Sequence, residues 1–264
     1  MAKTAFAVAA HPDDIEFVMA GTLTLLRQAG YETHYMNIAN GCCGTLHHSK
    51  QDIICIRRQE SMDAAASIGA IYHESFVDDV DIFYEKDLLA RVGAVMREVA
   101  PEILLVQSAD DYMEDHQNAA RLAVTAAFCR GMPNWPTNPP VAPVEQEVTV
   151  YHAQPHGNMD AMRIPVSPEI CVDISSVFQS KWDMLAFHQS QKVWLDESQG
   201  MDSYLLSMEG LCRDVGEISG KFELAEGFRR RSHLGFCSPG ADPLSDALSE
   251  YVLKLGSVRN WGGM

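Results

Sequence analysis

From Thr4 to Ala10 the chain is almost wholly apolar, and from Phe17 to Gln28 apolar residues recur at helical spacing. The pair reads as a buried strand feeding a helix. Glu32 to Ile38 alternates and predicts a second strand, and Gln51 to Ile68 a second helix. A short strand is expected near Phe76. A helix from Lys86 to Val99 should stop before Pro101, and Ile103 to Val106 has the continuous apolar character of a central parallel strand. Gln117 to Phe128 reads as helix. Residues 131–143 hold five of the twelve prolines and predict an irregular excursion. Glu147 to His152 returns as a strand, Val177 to about Gln189 is helical, and Phe222 to Arg230 is extended. Pro243 to Lys254 has the pattern of an amphipathic helix, suited to cover the domain or a neighbouring subunit. Strands alternating with helices predict a three-layer, Rossmann-like α/β fold, its largely parallel sheet flanked by helices. The expected organisation is one domain over residues 1–264, less regular from about residue 131 onward.

In such a sheet, ligands gather at the carboxyl ends of the strands. The first strand ends in Ala9-Ala10-His11-Pro12-Asp13-Asp14-Ile15-Glu16, which places an imidazole and two carboxylates within four positions. His11 and Asp14 can meet on one side of the turn, with Asp13 left to face what they hold. The competing reading is a polar turn in which Asp13 or Asp14 caps the next helix. The apolar run 103–106 opens into a second such turn, Ser108 to His116. Together the turns offer His11, Asp14 and His116, a set that suits Zn2+ with an open fourth position, or Fe2+ in a facial triad. Asp13 is then the natural general base, and Asp115 the natural partner to orient an imidazole. The glycine-bearing loop 40–48 borders the same crevice but lacks a phosphate-loop pattern. Arg57 could donate to a substrate hydroxyl or carboxylate, or simply pair with Glu60 three residues on. His47 and His48 read as solvated or substrate-lining, His188 as structural, and Trp182 and Phe187 as core.

Composition narrows the partners. Of 264 residues 47% are apolar, so the chain can bury a full core. Its formal net charge of −16 argues against nucleic acid or an anionic membrane as partner, though not against a small anionic substrate. Met1-Ala2-Lys3 shows no signal-peptide pattern, and no apolar run approaches the roughly 20 residues of a membrane helix. Seven cysteines without paired spacing fit a reducing cytoplasm.

The AHPDD turn, with Asp115-His116 opening a helix about a hundred residues later, resembles the zinc-dependent N-deacetylases of the PIG-L/LmbE family. Arg57-Arg58-Gln59-Glu60 with Gly69 is similar to the family's Arg-x-x-Glu helix. Asp173-Ile174-Ser175, Lys181, His188-Gln189-Ser190-Gln191 and Ala225-Glu226-Gly227-Phe228-Arg229 resemble further family segments. The resemblance implies an LmbE-like fold, zinc on His11, Asp14 and His116, Asp13 as base, a small N-acylated substrate and a closed homo-oligomer. One position departs from the pattern. The family's H-P-D-H turn begins with a histidine that helps stabilise the tetrahedral oxyanion, and here it is Met113, whose thioether cannot donate a hydrogen bond. Tyr112, His152 and His156 are the candidates to contact substrate and replace it. The family also includes a branch that hydrates an unsaturated oxo-acid, an alternative that Met113 strengthens. A metal-holding protein without catalysis would leave Asp13 without a role.

Overall fold

The computed structural model describes residues 3–199 and 204–256. Among them, eight strands form one sheet: β1 (Thr4–Ala9), β2 (Glu32–Asn37), β3 (Ile71–His73), β4 (Ile103–Val106), β5 (Thr149–Ala153), β6 (Ile170–Asp173), β7 (Ala225–Arg230) and β8 (Val252–Lys254). The order is β3-β2-β1-β4-β5-β7-β6-β8. Strands β3 to β5 in that order are parallel, as expected of βα units, whereas β7, β6 and β8 pair antiparallel. The antiparallel half begins after β5, where the chain leaves regular βα alternation.

The helices are α1 (Asp14–Val18), α2 (Ala20–Gln28), α3 (Lys50–Ser67), α4 (Lys86–Val99), α5 (Glu114–Cys129), α6 (Phe178–Ala186), α7 (Gln189–Gln199), α8 (Tyr204–Ser219) and α9 (Pro243–Ala247). Alternation along β1 produces the three layers. Ala5, Ala7 and Ala9 pack with Leu23 and Leu26 of α2, Met184 of α6 and Met208 of α8. Phe6 and Val8 face the opposite way, onto Leu88 and Val92 of α4 and Leu122 of α5. Small alanines on one face of the central strand let the helices on that side approach closely. No helix among the described residues is long and apolar enough to cross a membrane.

Four expectations need correction. The helix expected from Phe17 to Gln28 is two, broken at Met19. The strand expected near Phe76 lies earlier, at Ile71–His73, and Val77 makes only an isolated bridge to Ala39. Pro243 to Lys254 is no continuous helix. It is the five-residue α9 followed by β8, which completes the sheet edge beside β6. Phe187, expected in the core, is 39% exposed. The excursion after α5 is ordered by Arg97, whose guanidinium donates to the carbonyls of Arg130, Met132, Trp135 and Val141. That satisfies backbone groups which the prolines leave outside any ladder.

The break at Met19 explains two residues of the family-like segments. Glu226 on β7 accepts from the amides of Gly21 (2.8 Å) and Thr22 (2.7 Å), satisfying the free N–H groups at the start of α2. Lys181 on α6 donates to the Phe17 carbonyl near the end of α1 (2.9 Å) and to Glu226 (2.5 Å). Both side chains are buried. Removing one partner leaves the other charge buried and uncompensated, so Lys181→Met should destabilise the protein by about 3–5 kcal/mol. Urea unfolding with an unchanged m-value would measure it. A loss below about 1 kcal/mol would show that the pair is not the strut described.

Candidate metal centre and catalytic cavity

His11 stands at the end of β1, Asp14 opens α1, and His116 lies in the first turn of α5. β1 and β4 are neighbours, so their carboxyl ends bring the two turns together. His11 Nδ1 is 3.4 Å from Asp14 Oδ2, and His116 Nε2 is 3.3 Å from Asp14 Oδ1. The candidate ligand atoms all lie within 4.8 Å of one another. Zinc bonds of roughly 2.0–2.1 Å at tetrahedral angles separate neighbouring ligand atoms by about 3.4 Å, so the spacing fits a shared ion. The outer imidazole nitrogens are anchored. His11 Nε2 meets Asp115 Oδ2 at 3.0 Å, and His116 Nδ1 meets Asp111 Oδ1 at 2.9 Å. Each carboxylate fixes its ring so that the other nitrogen faces Asp14, the arrangement that metal-binding histidines need.

The electrostatics agree. Burial opposes the charged form of His11, but Asp115 and Asp14 outweigh it and push the imidazole up to about 10. His116 is raised in the same way against burial, by Asp14 and Asp111. Asp14 is driven well below the ordinary carboxylate range, because His116 and His11 override the effect of burial. A site that draws protons onto both imidazoles is one that a cation can occupy in their place.

Asp13 is different. Its backbone is left-handed, with φ 97°, and its carboxylate is pushed up to about 6, chiefly by burial, while Arg57 acts in the opposite direction. The Tyr204 hydroxyl donates to its Oδ2 at 2.6 Å, and Arg57 Nη2 lies 3.8 Å from the same oxygen. The remaining contacts of Arg57 are to backbone: Pro12 O at 2.6 Å and Gly41 O at 3.2 Å. The pair with Glu60 does not form, since Glu60 accepts from the amide and hydroxyl of Ser190.

These groups open onto a cavity of about 280 Å³ lined by His11, Asp13, Asp14, Arg57, Tyr112, Met113, His116 and His156, together with Trp194 and Tyr204. Of the four residues expected to contact substrate, Arg57, Tyr112 and His156 line it. His152 does not. It lies on β5, where its Nδ1 meets the Gln107 carbonyl at 2.9 Å and its Nε2 meets Arg231 at 3.2 Å. Burial lowers its pKa to about 4, which marks a neutral, structural imidazole. His47 and His48 line a neighbouring hollow instead, and Trp194 borders both. His188 is buried, with Nε2 3.3 Å from Glu16 Oε1, in keeping with a structural role.

Sequence reasoning missed Asp111 and Tyr204. Asp111 had a signal, a carboxylate five residues before His116 in the same turn. Tyr204 had none, being 191 residues from Asp13.

Residues 6–127 match the family PIG-L: GlcNAc-PI de-N-acetylase. A diacetylchitobiose deacetylase of Thermococcus kodakarensis is 24% identical over 201 residues, covering 72% of this chain and 70% of its own. A 4-oxalmesaconate hydratase of Pseudomonas putida is 28% identical over 188 residues, covering 68% and 70%. In structure, the N,N'-diacetylchitobiose deacetylase of Pyrococcus horikoshii superposes with a TM-score of 0.74 at 21% identity, over 88% of this chain and 85% of its own, which establishes a shared fold.

If His11, Asp14 and His116 are the protein ligands, alanine at any one should abolish stoichiometric zinc, because each supplies one of only three. Metal analysis after dialysis would show it. A triple-alanine protein that still held one zinc per chain after its thiols were alkylated would place the centre elsewhere.

Proposed function

From the premise that residues 6–127 form a PIG-L-family domain, we propose that the protein is a metal-dependent N-deacylase acting on a small, sugar-like N-acetylated substrate. One observation carries this reading: a two-histidine, one-carboxylate set converges beside a separate buried carboxylate, Asp13, in a single cavity. The curated deacetylase relative supports it.

His11, Asp14 and His116 would hold the ion, zinc or ferrous iron, which supplies Lewis acidity and brings a water's pKa down to about 7. Asp13 takes the proton of the attacking water. Tyr204 engages Oδ2 and fixes the carboxylate, leaving the other oxygen for the transfer. Asp111 and Asp115 hold the two imidazoles in orientation throughout. Arg57 pins the Pro12 and Gly41 carbonyls, so the turn and the facing loop keep their spacing. When the amide C–N bond breaks, the proton on Asp13 passes to the departing amine, which regenerates the base. Met113 lines the cavity where a donor to the oxyanion would serve, and Tyr112 and His156 are the nearby groups able to replace it.

Met113, together with the hydratase relative, favours a second reading: addition of water to an unsaturated oxo-acid by the same base. The cytoplasm is the proposed compartment, because all seven cysteines are free. A homo-oligomer is the proposed assembly.

Acetate release from small N-acetyl sugars, assayed beside the hydration of unsaturated oxo-acids, separates the readings. Deacylation requires acetate release, and hydration without it would replace the first reading with the second. In either reaction Asp13→Asn should keep its metal and lose about 10²- to 10⁴-fold in turnover, the usual cost of removing a general base. Loss of metal from Asp13→Asn with retention by Asp14→Asn would mean that the two roles are exchanged.

A further inference from the structure

The loop after β2 carries two adjacent thiols that the proposed reaction does not use. The Gly41 amide donates to Asp79 Oδ1 (2.7 Å) and the Cys43 amide to Asp79 Oδ2 (2.8 Å), so the loop is wrapped onto that carboxylate. Cys42 is buried beneath the loop. Cys43 is exposed and, with Asp79, lines the catalytic cavity. The two sulfurs are 3.8 Å apart, and both lie with an Asp79 oxygen inside a 4.8 Å cluster.

That separation is informative. A disulfide would need about 2.05 Å. Two thiolates sharing one tetrahedral ion, at metal–sulfur bonds of roughly 2.3 Å, stand about 3.8 Å apart. The thiols are therefore too far apart for a closed bond, within reach of an S–H hydrogen bond, and at the spacing that a common ion would need. Both oxygens of Asp79 already accept a backbone N–H, which aims the carboxylate and still leaves lone pairs for a cation.

We propose that Cys42, Cys43 and Asp79 form a second metal site for a thiophilic divalent cation such as zinc or cadmium, and that its occupation obstructs the mouth of the catalytic cavity. The donor sets differ in kind. Two sulfurs and an oxygen select a softer ion than two imidazoles and a carboxylate do. Capture releases the thiol protons, so uptake strengthens as pH rises. The fourth position of the ion would open toward the cavity, where substrate must pass. Metal binding here stands independently of the catalytic reading; only the obstruction rests on it.

The test uses the full chain, reduced with a phosphine, preloaded with one equivalent of zinc and titrated with cadmium. The wild type should take up a further equivalent with a thiolate-to-cadmium charge-transfer band in the ultraviolet. Cys42→Ser/Cys43→Ser should lose both the band and that equivalent while keeping the first zinc. Cys43→Ser alone, at an exposed position, provides the same readout if the double variant folds poorly. A wild type without the band overturns the site, as does a double variant that keeps it, since exposed Cys55 or another thiol would then be the ligand. Excess zinc should inhibit turnover of the wild type and not of the double variant. Inhibition persisting in the double variant overturns the obstruction. Failure of the catalytic reading would appear separately, as loss of the first zinc site or of turnover in the unloaded wild type.

Discussion

The site depends on a four-residue turn that the backbone would not choose by itself. Asp13 sits at φ 97°, and a non-glycine residue in the left-handed region costs on the order of 1–2 kcal/mol. The surrounding fold holds it there. The amide of Ala10 donates to Gln107 Oε1 (2.8 Å), and Asn37 Nδ2 donates to the His11 carbonyl (2.6 Å). Arg57 grips the Pro12 carbonyl (2.6 Å), and Tyr204 donates to the Asp13 carboxylate (2.6 Å). These four residues come from the segment after β4, from β2, from α3 and from α8. Strain that so many elements enforce is characteristic of functional turns. Its effect is to send successive carboxylates in different directions, Asp14 toward the histidines and Asp13 toward Tyr204 and Arg57.

Charge follows from that geometry. Asp14, Asp111 and Asp115 crowd around two imidazoles, and Asp13 and Asp79 add further carboxylates to the cavity wall. Arg57 is the guanidinium on that wall, and it is largely engaged with backbone carbonyls. In the absence of a cation, the carboxylates favour the protonated form of both imidazoles against the effect of burial. A cation on these nitrogens would compete with those protons, so its affinity would fall as pH drops. Outside the site, the buried Lys181–Glu226 pair and the Glu60–Ser190 contact tie α6, α7 and β7 to the helices that follow β1 and β2. These residues look like site chemistry in the sequence, but they are struts.

The parallel half of the sheet was legible because its strands are short apolar runs that alternate with periodic helices. α4 matches its expected bounds, Lys86 to Val99, since Pro101 stops it and Ala100 closes it in a left-handed conformation. The antiparallel half was legible only at β7, which lies within the extended stretch expected from Phe222 to Arg230. β6 and β8 are brief, and the pairing of these strands is set by contacts across the chain, with β8 replacing what periodicity alone suggested was helix. At the site, the convergence of His11, Asp14 and His116 could be read because the turn after each of two neighbouring strands carries its own candidate ligands. Asp115 was readable as the orienter of an imidazole, and Asp111 was obscured by neighbouring acidic residues. Tyr204 was invisible, and His152 was misplaced, because pattern along a strand does not tell which histidine faces the cavity and which faces the sheet interior.

The most direct test compares the unfolding free energies of Asp13→Gly and Asp13→Ala, with metal content measured on both. Each variant deletes the carboxylate, but only glycine occupies the left-handed region without a steric penalty. If the fold imposes the turn, Asp13→Gly should be the more stable by about 1 kcal/mol, and both should retain stoichiometric metal on His11, Asp14 and His116. Equal stability, or a glycine variant less stable than the alanine one, would contradict a strained turn held in place by its surroundings.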